Sequence, residues 1–416
     1  MTARRNVAGT PERSVLVSRP SIMIDPIAYP IFSPRKAMMS TVTVLDLFTG
    51  AGGLTQGWHE AADDMGYKTE LVGSVEVDAT AAMTYAANFG ATDQFVGPIE
   101  EWLREVETPE ADVILGGPPC QGFSALGKRD INDVRNILWK WYAEAIVRAR
   151  PKYFVVENVL PFLKSAEYEA FKNSTEKGGI LEAYELEAHR LAAPLFGSPQ
   201  NRKRAVVIGR RKNVPPVDAP TVTHPTEADW VNVRQAFKDI DPMVDGIHLP
   251  DRRSSSGTAG PFLTSELHLG RTYTQKSLER FACIPEGGNR FNIPDELLAP
   301  CWRKSPTGYS DVMGRLHDER PSVTIRTAFD KPEKGRYLHP TANRAITHRE
   351  AARLQGFPDN FKWFGSKQKI AKQIGNAVPV QLAKAISSSV IAAVQSSRSH
   401  QTTSIDVDET LSVDAG

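Results

Sequence analysis

Three cysteines in 416 residues, Cys120, Cys283 and Cys301, stand far apart with no Cys-x-x-Cys spacing. That scarcity excludes a disulfide framework and a cysteine-rich zinc site, and it suits a reducing cytoplasm. Long hydrophobic runs are missing too. No stretch of about 18 uncharged apolar residues occurs, so neither a membrane-spanning helix nor a membrane partner is expected. The segment from Ser14 to Ile31 is interrupted by Arg19, Pro20, Asp25, Pro26 and Pro30, which is wrong for the apolar core of a signal peptide. An excess of one charge is also lacking. Fifty Lys and Arg against 49 Asp and Glu leave a net charge of +1, so bulk electrostatics announces no nucleic-acid partner, although an average hides local patches. One such patch runs from Gln200 to Lys212, where Arg202, Lys203, Arg204, Arg210, Arg211 and Lys212 stand without an acid. A solvated surface accounts for it as well as a binding role does.

What is present is an ordinary globular balance, 41% apolar and 24% charged, in a chain long enough for one large core or for a core plus a smaller module. Residues 1–40 are rich in Pro, Ser and Arg without a sustained period and read as a disordered extension. From Thr41 the pattern changes to short apolar runs of buried-strand type alternating with helical stretches. Val42–Leu47, Leu71–Val77, Val113–Leu115, Tyr153–Val156 and Ala205–Ile208 are the strands, and Leu54–Ala62 is the first helix. Such alternation means an α/β fold with a parallel sheet covered on both faces. It occupies 41–213, stops over 214–336, which is irregular and rich in Pro, Gly, Arg and aromatics, and resumes over 337–396. The irregular segment reads as a smaller inserted domain, and 397–416, polar and Ser/Thr-rich, as a flexible tail.

Two loops carry chemistry. After the first strand comes Phe48-Thr49-Gly50-Ala51-Gly52-Gly53, a tight glycine turn that lets backbone N–H groups and a helix N-terminus approach a ligand. Glu76, at the end of the second strand, is placed to bond ribose hydroxyls. This pair alone serves NAD, FAD or S-adenosylmethionine equally. After the strand at Val113 comes Gly116-Gly117-Pro118-Pro119-Cys120-Gln121-Gly122-Phe123-Ser124, at the sheet edge where α/β enzymes place their reacting groups. A lone cysteine is more often a small buried hydrophobe. Here two glycines and two prolines make a stiff polar loop that holds the thiol in one place, which favours a nucleophile.

With these residues the sequence resembles the cytosine-C5 DNA methyltransferase family of bacterial restriction-modification type. Asp46 to Gly53 resembles its cofactor loop and Pro118-Pro119-Cys120-Gln121 its nucleophile loop. Asp133-x-Arg135-Asn136, Glu157-Asn158-Val159, Gln200 to Arg204, Arg320 to Thr327, Arg349 to Pro358 and Gln373 to Pro379 follow in family order. The resemblance spans Val42 to Ile391 outside the inserted domain.

The resemblance implies a Rossmann-like S-adenosylmethionine-dependent methyltransferase sheet domain, with 214–336 as target-recognition domain. Cys120 would be the thiolate that adds to cytosine C6. Glu157 would hold or protonate N3, Arg204 would contact O2, and Arg202 would steady Glu157 and the thiolate. Cofactor contacts would come from Phe48, Gly50, Gly52, Gly53, Leu54, Glu76, Val77, Pro118, Leu138, Asn376 and Val378, and substrate contacts from Gln121, Ser124 and Gln200. Structural roles compete at several positions: Glu157 as a helix cap, Asn376 as a turn residue, Phe48 as core. One departure stands out. The family's Gly-Asp-Ile, whose Asp bonds the adenine amine, is Gly97-Pro98-Ile99 here. Pro98 cannot accept that bond, so Asp93, Glu100 or a water must.

The implied partner is double-stranded DNA bound by a monomer on the nucleoid, with a restriction endonuclease for the same site in a host-protection setting. No metal is implied. An RNA methyltransferase of the same family is the alternative. Its tRNA-type branch resembles a Cys-Phe-Thr motif, whereas Cys283 is followed by Ile284 and Cys301 by Trp302. A nicotinamide oxidoreductase would explain the glycine turn and Glu76 but not Cys120, Glu157 and Arg204. A catalytically inactive binding module would leave that complete set without a purpose.

Overall fold

Val42, Val44, Leu45 and Leu47 bury both faces of strand β1 (Thr41–Leu47), as a central strand covered by helices requires. The computed structural model describes residues 40–90, 93–119, 138–304 and 307–411, with side chains in the last helix as far as 399. Cys120, Gln121 and Ser124, and the expected extension up to residue 39, lie outside the described residues.

After β1 the chain continues through α1 (Gly53–Asp64), β2 (Lys68–Glu76), α2 (Ala79–Phe89), β3 (Gln94–Val96), α3 (Ile99–Glu105) and β4 (Val113–Gly116). Then come α4 (Leu138–Ala149), β5 (Tyr153–Asn158), α5 (Ala166–Asn173), β6 (Tyr184–Ala192), β7 (Gln200–Asn201) and β8 (Lys203–Arg211). Seven of these strands form one sheet in the order β3-β2-β1-β4-β5-β8-β6. The first five are parallel. The expected all-parallel sheet is corrected at its far end, where β8 runs antiparallel between β5 and β6. The chain moves outward from β1 to β3 and returns to β4 on the other side, so β1 and β4 flank the topological switch point at which α/β sheets open a ligand crevice.

On one face α1 packs against the final helix, Val380–Leu411, with Trp58, Ala61, Leu382, Ala383 and Ile386 in a cluster that includes Val42 and Val44. On the other, Trp102, Tyr142, Ile146, Phe162 and Phe171 cover Leu45, Leu47 and Ile114. The final helix continues past Ser397, where composition suggested a loose tail. Ser397 is buried, and Arg398 donates to the Thr41 carbonyl (2.7 Å) and to Asp112 (3.0 Å), tying this turn to the start of β1.

The segment 214–336 shares its main core with the residues that follow it. Val233, Phe237, Phe262, Leu316, Ile325 and Phe329 pack in one cluster with Tyr337, Ile346, Trp363 and Ile374. A smaller cluster of its own gathers Phe281, Ile284, Ile293 and Met313, closed by Leu338. Charge is buried beside the larger core. Arg344 grips Glu350 through two hydrogen bonds, 2.8 and 2.7 Å, and Thr347 and Glu350 form a capping box at the helix His348–Leu354. His339 lies 3.6 Å from Glu350, but burial holds its imidazole down at about 4. It is neutral at pH 7, and Arg344 is the effective counter-charge.

Glu350→Ala strands the Arg344 guanidinium in this interior. Breaking a buried pair from one side costs about 3–5 kcal/mol, and urea unfolding is expected to show a loss of that size; a loss below about 1 kcal/mol would mean the pair holds nothing together.

Candidate active site

The loop after β1 folds back on the end of β2. Phe48 takes a left-handed backbone (φ 60) and packs half-buried on the cluster around Tyr142. The Gly50 N–H donates to Glu76 at 2.7 Å, and the Asp78 N–H donates to its other oxygen at 2.8 Å. Burial raises the Glu76 carboxyl and these two bonds oppose the rise. A carboxylate has about four acceptor positions, so Glu76 keeps capacity for ligand hydroxyls. Beneath it Asp46 is fully buried, accepts from the Thr55 hydroxyl, and is pushed up to about 7, chiefly by burial. Val77 stands 68% exposed at the strand end, an apolar surface beside the glycine turn.

Gly52 caps α1 with φ 89, a conformation that favours glycine. Gly53 permits a close approach: a Cβ there would lie 2.5 Å from the Val378 carbonyl oxygen. The segment after the helix Lys367–Asn376 is thereby pressed onto the glycine loop, with Val378 buried against Gly53 and Asn376 exposed two residues before it. Leu138 packs half-buried against the same cluster as Phe48, and Pro118 is buried at the end of β4. Leu54 departs from expectation. Its side chain sits in the core under α1, which leaves only its backbone to the loop.

Next to this cradle lies a second constellation. Glu157 is the next-to-last residue of β5, and the antiparallel pairing of β8 sets Val206 opposite Glu157 and Ala205 opposite Asn158. Arg204 Nε stands 2.6 Å from Glu157 Oε1, each side chain 11% exposed. The approach lies outside hydrogen-bond geometry, so Oε1 is a buried, ion-paired acceptor with no hydrogen bond among the described residues. A Cβ on Gly117 would lie 3.7 Å from Glu157 Oε2, which puts the carboxylate beside the Gly-Gly-Pro-Pro loop. Asn158 secures that loop by donating to the Pro118 carbonyl at 3.0 Å; the sequence marked Asn158 only as part of a motif, with no role. Cys120 follows Pro118 by two residues.

Arg202 is 5% exposed and donates to the Ile325 and Gly375 carbonyls at 3.0 and 3.1 Å. Burial and the Arg204 charge pull its guanidinium down to about 9, while Glu157 supports its charge. It joins three chain segments behind Glu157. Gln200 departs from its expected role as a substrate contact. It is fully buried, donates to Gln355 (2.7 Å) and Leu354 (3.3 Å), and accepts from the Ile325 N–H (2.8 Å). Its amide works as a brace. The basic run divides likewise, because Arg210 pairs with Glu185 and Arg211 donates to the Arg150 carbonyl on the surface.

The residues present fit an adenosyl ligand: Phe48 and Val77 offer apolar faces, Glu76 has free acceptor positions, and a Cβ on Gly50 would meet nothing within 4 Å. Gly53→Ala drives a methyl into the Val378 carbonyl, and overpacking of this kind costs about 1–3 kcal/mol. A lowered melting temperature is expected; an unchanged one would mean that the two segments are not tightly packed.

A family model described as C-5 cytosine-specific DNA methylase matches residues 42–392. The type II methyltransferase M1.HphI of Haemophilus parahaemolyticus is 32% identical over 84% of this chain and 87% of its own length. The corresponding enzyme M.XorII of Xanthomonas oryzae pv. oryzae is 31% identical over 84% and 85%. Among solved structures, a prophage-encoded Escherichia coli protein described as a DNA modification methyltransferase superposes with a TM-score of 0.63 at 24% identity, covering 85% of this chain and 99% of that one, which speaks to the fold. The glycine loop, the Glu157–Arg204 pair and the match over 42–392 together place the chain in the C-5 cytosine-specific DNA methylase family.

Proposed function

We propose that this DNA cytosine-5 methyltransferase works through a covalent bond between Cys120 and cytosine C6, on a base turned out of a specific double-stranded DNA sequence. The observation that supports this reading most is Glu157: a buried carboxylate whose Oε1 faces the Arg204 guanidinium and has no hydrogen-bond partner among the described residues, beside a loop that Asn158 fastens two residues before Cys120. Cytosine C5 is a poor nucleophile. Thiolate addition to C6 moves electron density to C5, and Glu157 eases that addition by protonating or hydrogen-bonding N3. Arg204, paired with Glu157, holds O2, and Arg202 keeps both in place from behind. The cradle around Phe48 and Glu76 would hold S-adenosylmethionine, which when bound would supply an electrophilic methyl group to C5 and leave as S-adenosylhomocysteine. Loss of the C5 proton to water then breaks the bond to Cys120 and frees thiolate and product.

The base cannot meet Cys120 inside a stacked duplex, so it is flipped out. Gln121 and Ser124, one and four residues after Cys120 in the sequence, contact the flipped nucleotide or its backbone. Target recognition lies within 214–336, where the cluster around Phe281 and Met313 stands apart from the core shared with the sheet domain. The setting is host protection, with a monomer acting beside an endonuclease that cuts the same site.

DNA whose target carries 5-fluorocytosine blocks the final elimination. Incubation with S-adenosylmethionine is expected to trap a complex stable to denaturation, with its mass shift on the Cys120 peptide. Cys120→Ala is expected to give neither adduct nor turnover, and full methylation by that variant would overturn the mechanism. Glu157→Gln is expected to slow turnover by about 10² to 10⁴, the range for a positioned acid–base group, with DNA affinity changed far less. Loss of the circular-dichroism signal in place of rate would assign Glu157 to folding.

A further inference from the structure

We infer that Tyr309 is the ring that enters the DNA base stack where the target cytosine leaves it, an inference that rests on the proposed base flipping. Tyr309 combines two features that a merely structural residue does not. Its backbone is left-handed (φ 52), a conformation that strains a bulky side chain, and its ring stands 73% exposed. Burial of the ring therefore does not offset the strain. The framework around it does. The buried Arg290 guanidinium donates to the Gly308 carbonyl at 2.8 Å. The Val312 N–H donates to the Tyr309 carbonyl at 3.0 Å, and the Arg290 N–H to the Val312 carbonyl at 3.2 Å.

This turn borders the catalytic pair. Asp311, two residues after Tyr309, lies 4.0 Å from Arg326. The Arg326 backbone packs on Gly375, where a Cβ would lie 2.4 Å from the Arg326 carbonyl carbon. Gly375 and Ile325 provide the carbonyls that receive Arg202, and Arg204, two residues on, faces Glu157 at 2.6 Å. A duplex that presents a cytosine to Glu157 therefore comes against Tyr309. Extrusion of that base leaves its stacking on both neighbours unreplaced. A flat ring fixed in a rigid turn replaces it, because every base offers a π-face and apolar side chains can wedge between base steps. Phe291, a second exposed aromatic of the segment at 52%, is less suited: its ring already lies on the Arg290 guanidinium, 4.5 Å from the ring centroid.

Tyr309→Gly in the full chain isolates the ring, since glycine takes a left-handed backbone without strain. At one fixed salt concentration, this variant is expected to bind a duplex carrying the methylated site about 5- to 150-fold more weakly, the scale of one base–aromatic stack. It should bind a random duplex as the wild type does and melt at no lower a temperature. With 2-aminopurine in place of the target cytosine, the fluorescence gain that reports extrusion should shrink. Tyr309→Phe, which keeps the ring, should match the wild type throughout. Unchanged affinity for the site or an unchanged 2-aminopurine signal in the Gly variant overturns the assignment. So does an equal loss on random DNA, which marks a phosphate contact, a Phe variant as weak as Gly, which marks a hydroxyl contact, or a lowered melting temperature, which marks a packing role. A wild type that gives no 2-aminopurine signal would instead refute the base flipping on which the inference rests.

Discussion

The antiparallel insertion of β8 between β5 and β6 is the constraint on which the reactive half of the site depends. In a parallel sheet, the start of a strand lies at the edge away from the chemistry. Reversal of β8 brings its first residues to the carboxyl edge, where Arg204 meets Glu157 at the end of β5. The same reversal sets Arg202 at the junction of three segments, where the Ile325 and Gly375 carbonyls receive it. Burying a guanidinium is expensive, and the fall of Arg202 to about 9 registers that expense. Two carbonyl acceptors and a neighbouring carboxylate offset it, and a rigid wall behind Glu157 results.

The cofactor half rests on a different device, close packing of main chain on main chain. Gly53 lets the Val378 backbone press on the start of α1, and Glu76 ties the glycine loop to the end of β2. Both halves meet at the switch point between β1 and β4. Asn158 is the link, since one amide connects the strand that carries Glu157 to the loop that leads to Cys120. Methyl donor and base can thus be presented to each other by short, stiff connections from a single sheet edge.

Further from the sheet, Gln200, Gln355 and the backbone around Ile325 and Ile374 form a buried polar lattice. It joins the residues before and after 214–336, so that segment is seated on the catalytic part through hydrogen bonds as well as through the shared apolar cluster. Polar groups buried in this way orient partners more sharply than apolar packing does, because each demands a particular neighbour.

The sequence by itself determined what local pattern can carry. Apolar runs of strand length, the glycine turn after Leu47, the Pro-Pro-Cys motif and the Glu-Asn-Val strand end each follow from period or turn chemistry within a few residues, so the α/β class and the segments that border the candidate site were legible. The tertiary structure decided what depends on residues far apart. An apolar run such as Ala205–Ile208 reads the same in either direction, so the reversal of β8 was hidden. Gln200 looked like a substrate contact until Ile325 and Gln355 enclosed it. The final helix outran its own composition because Arg398 reaches Thr41 and Asp112.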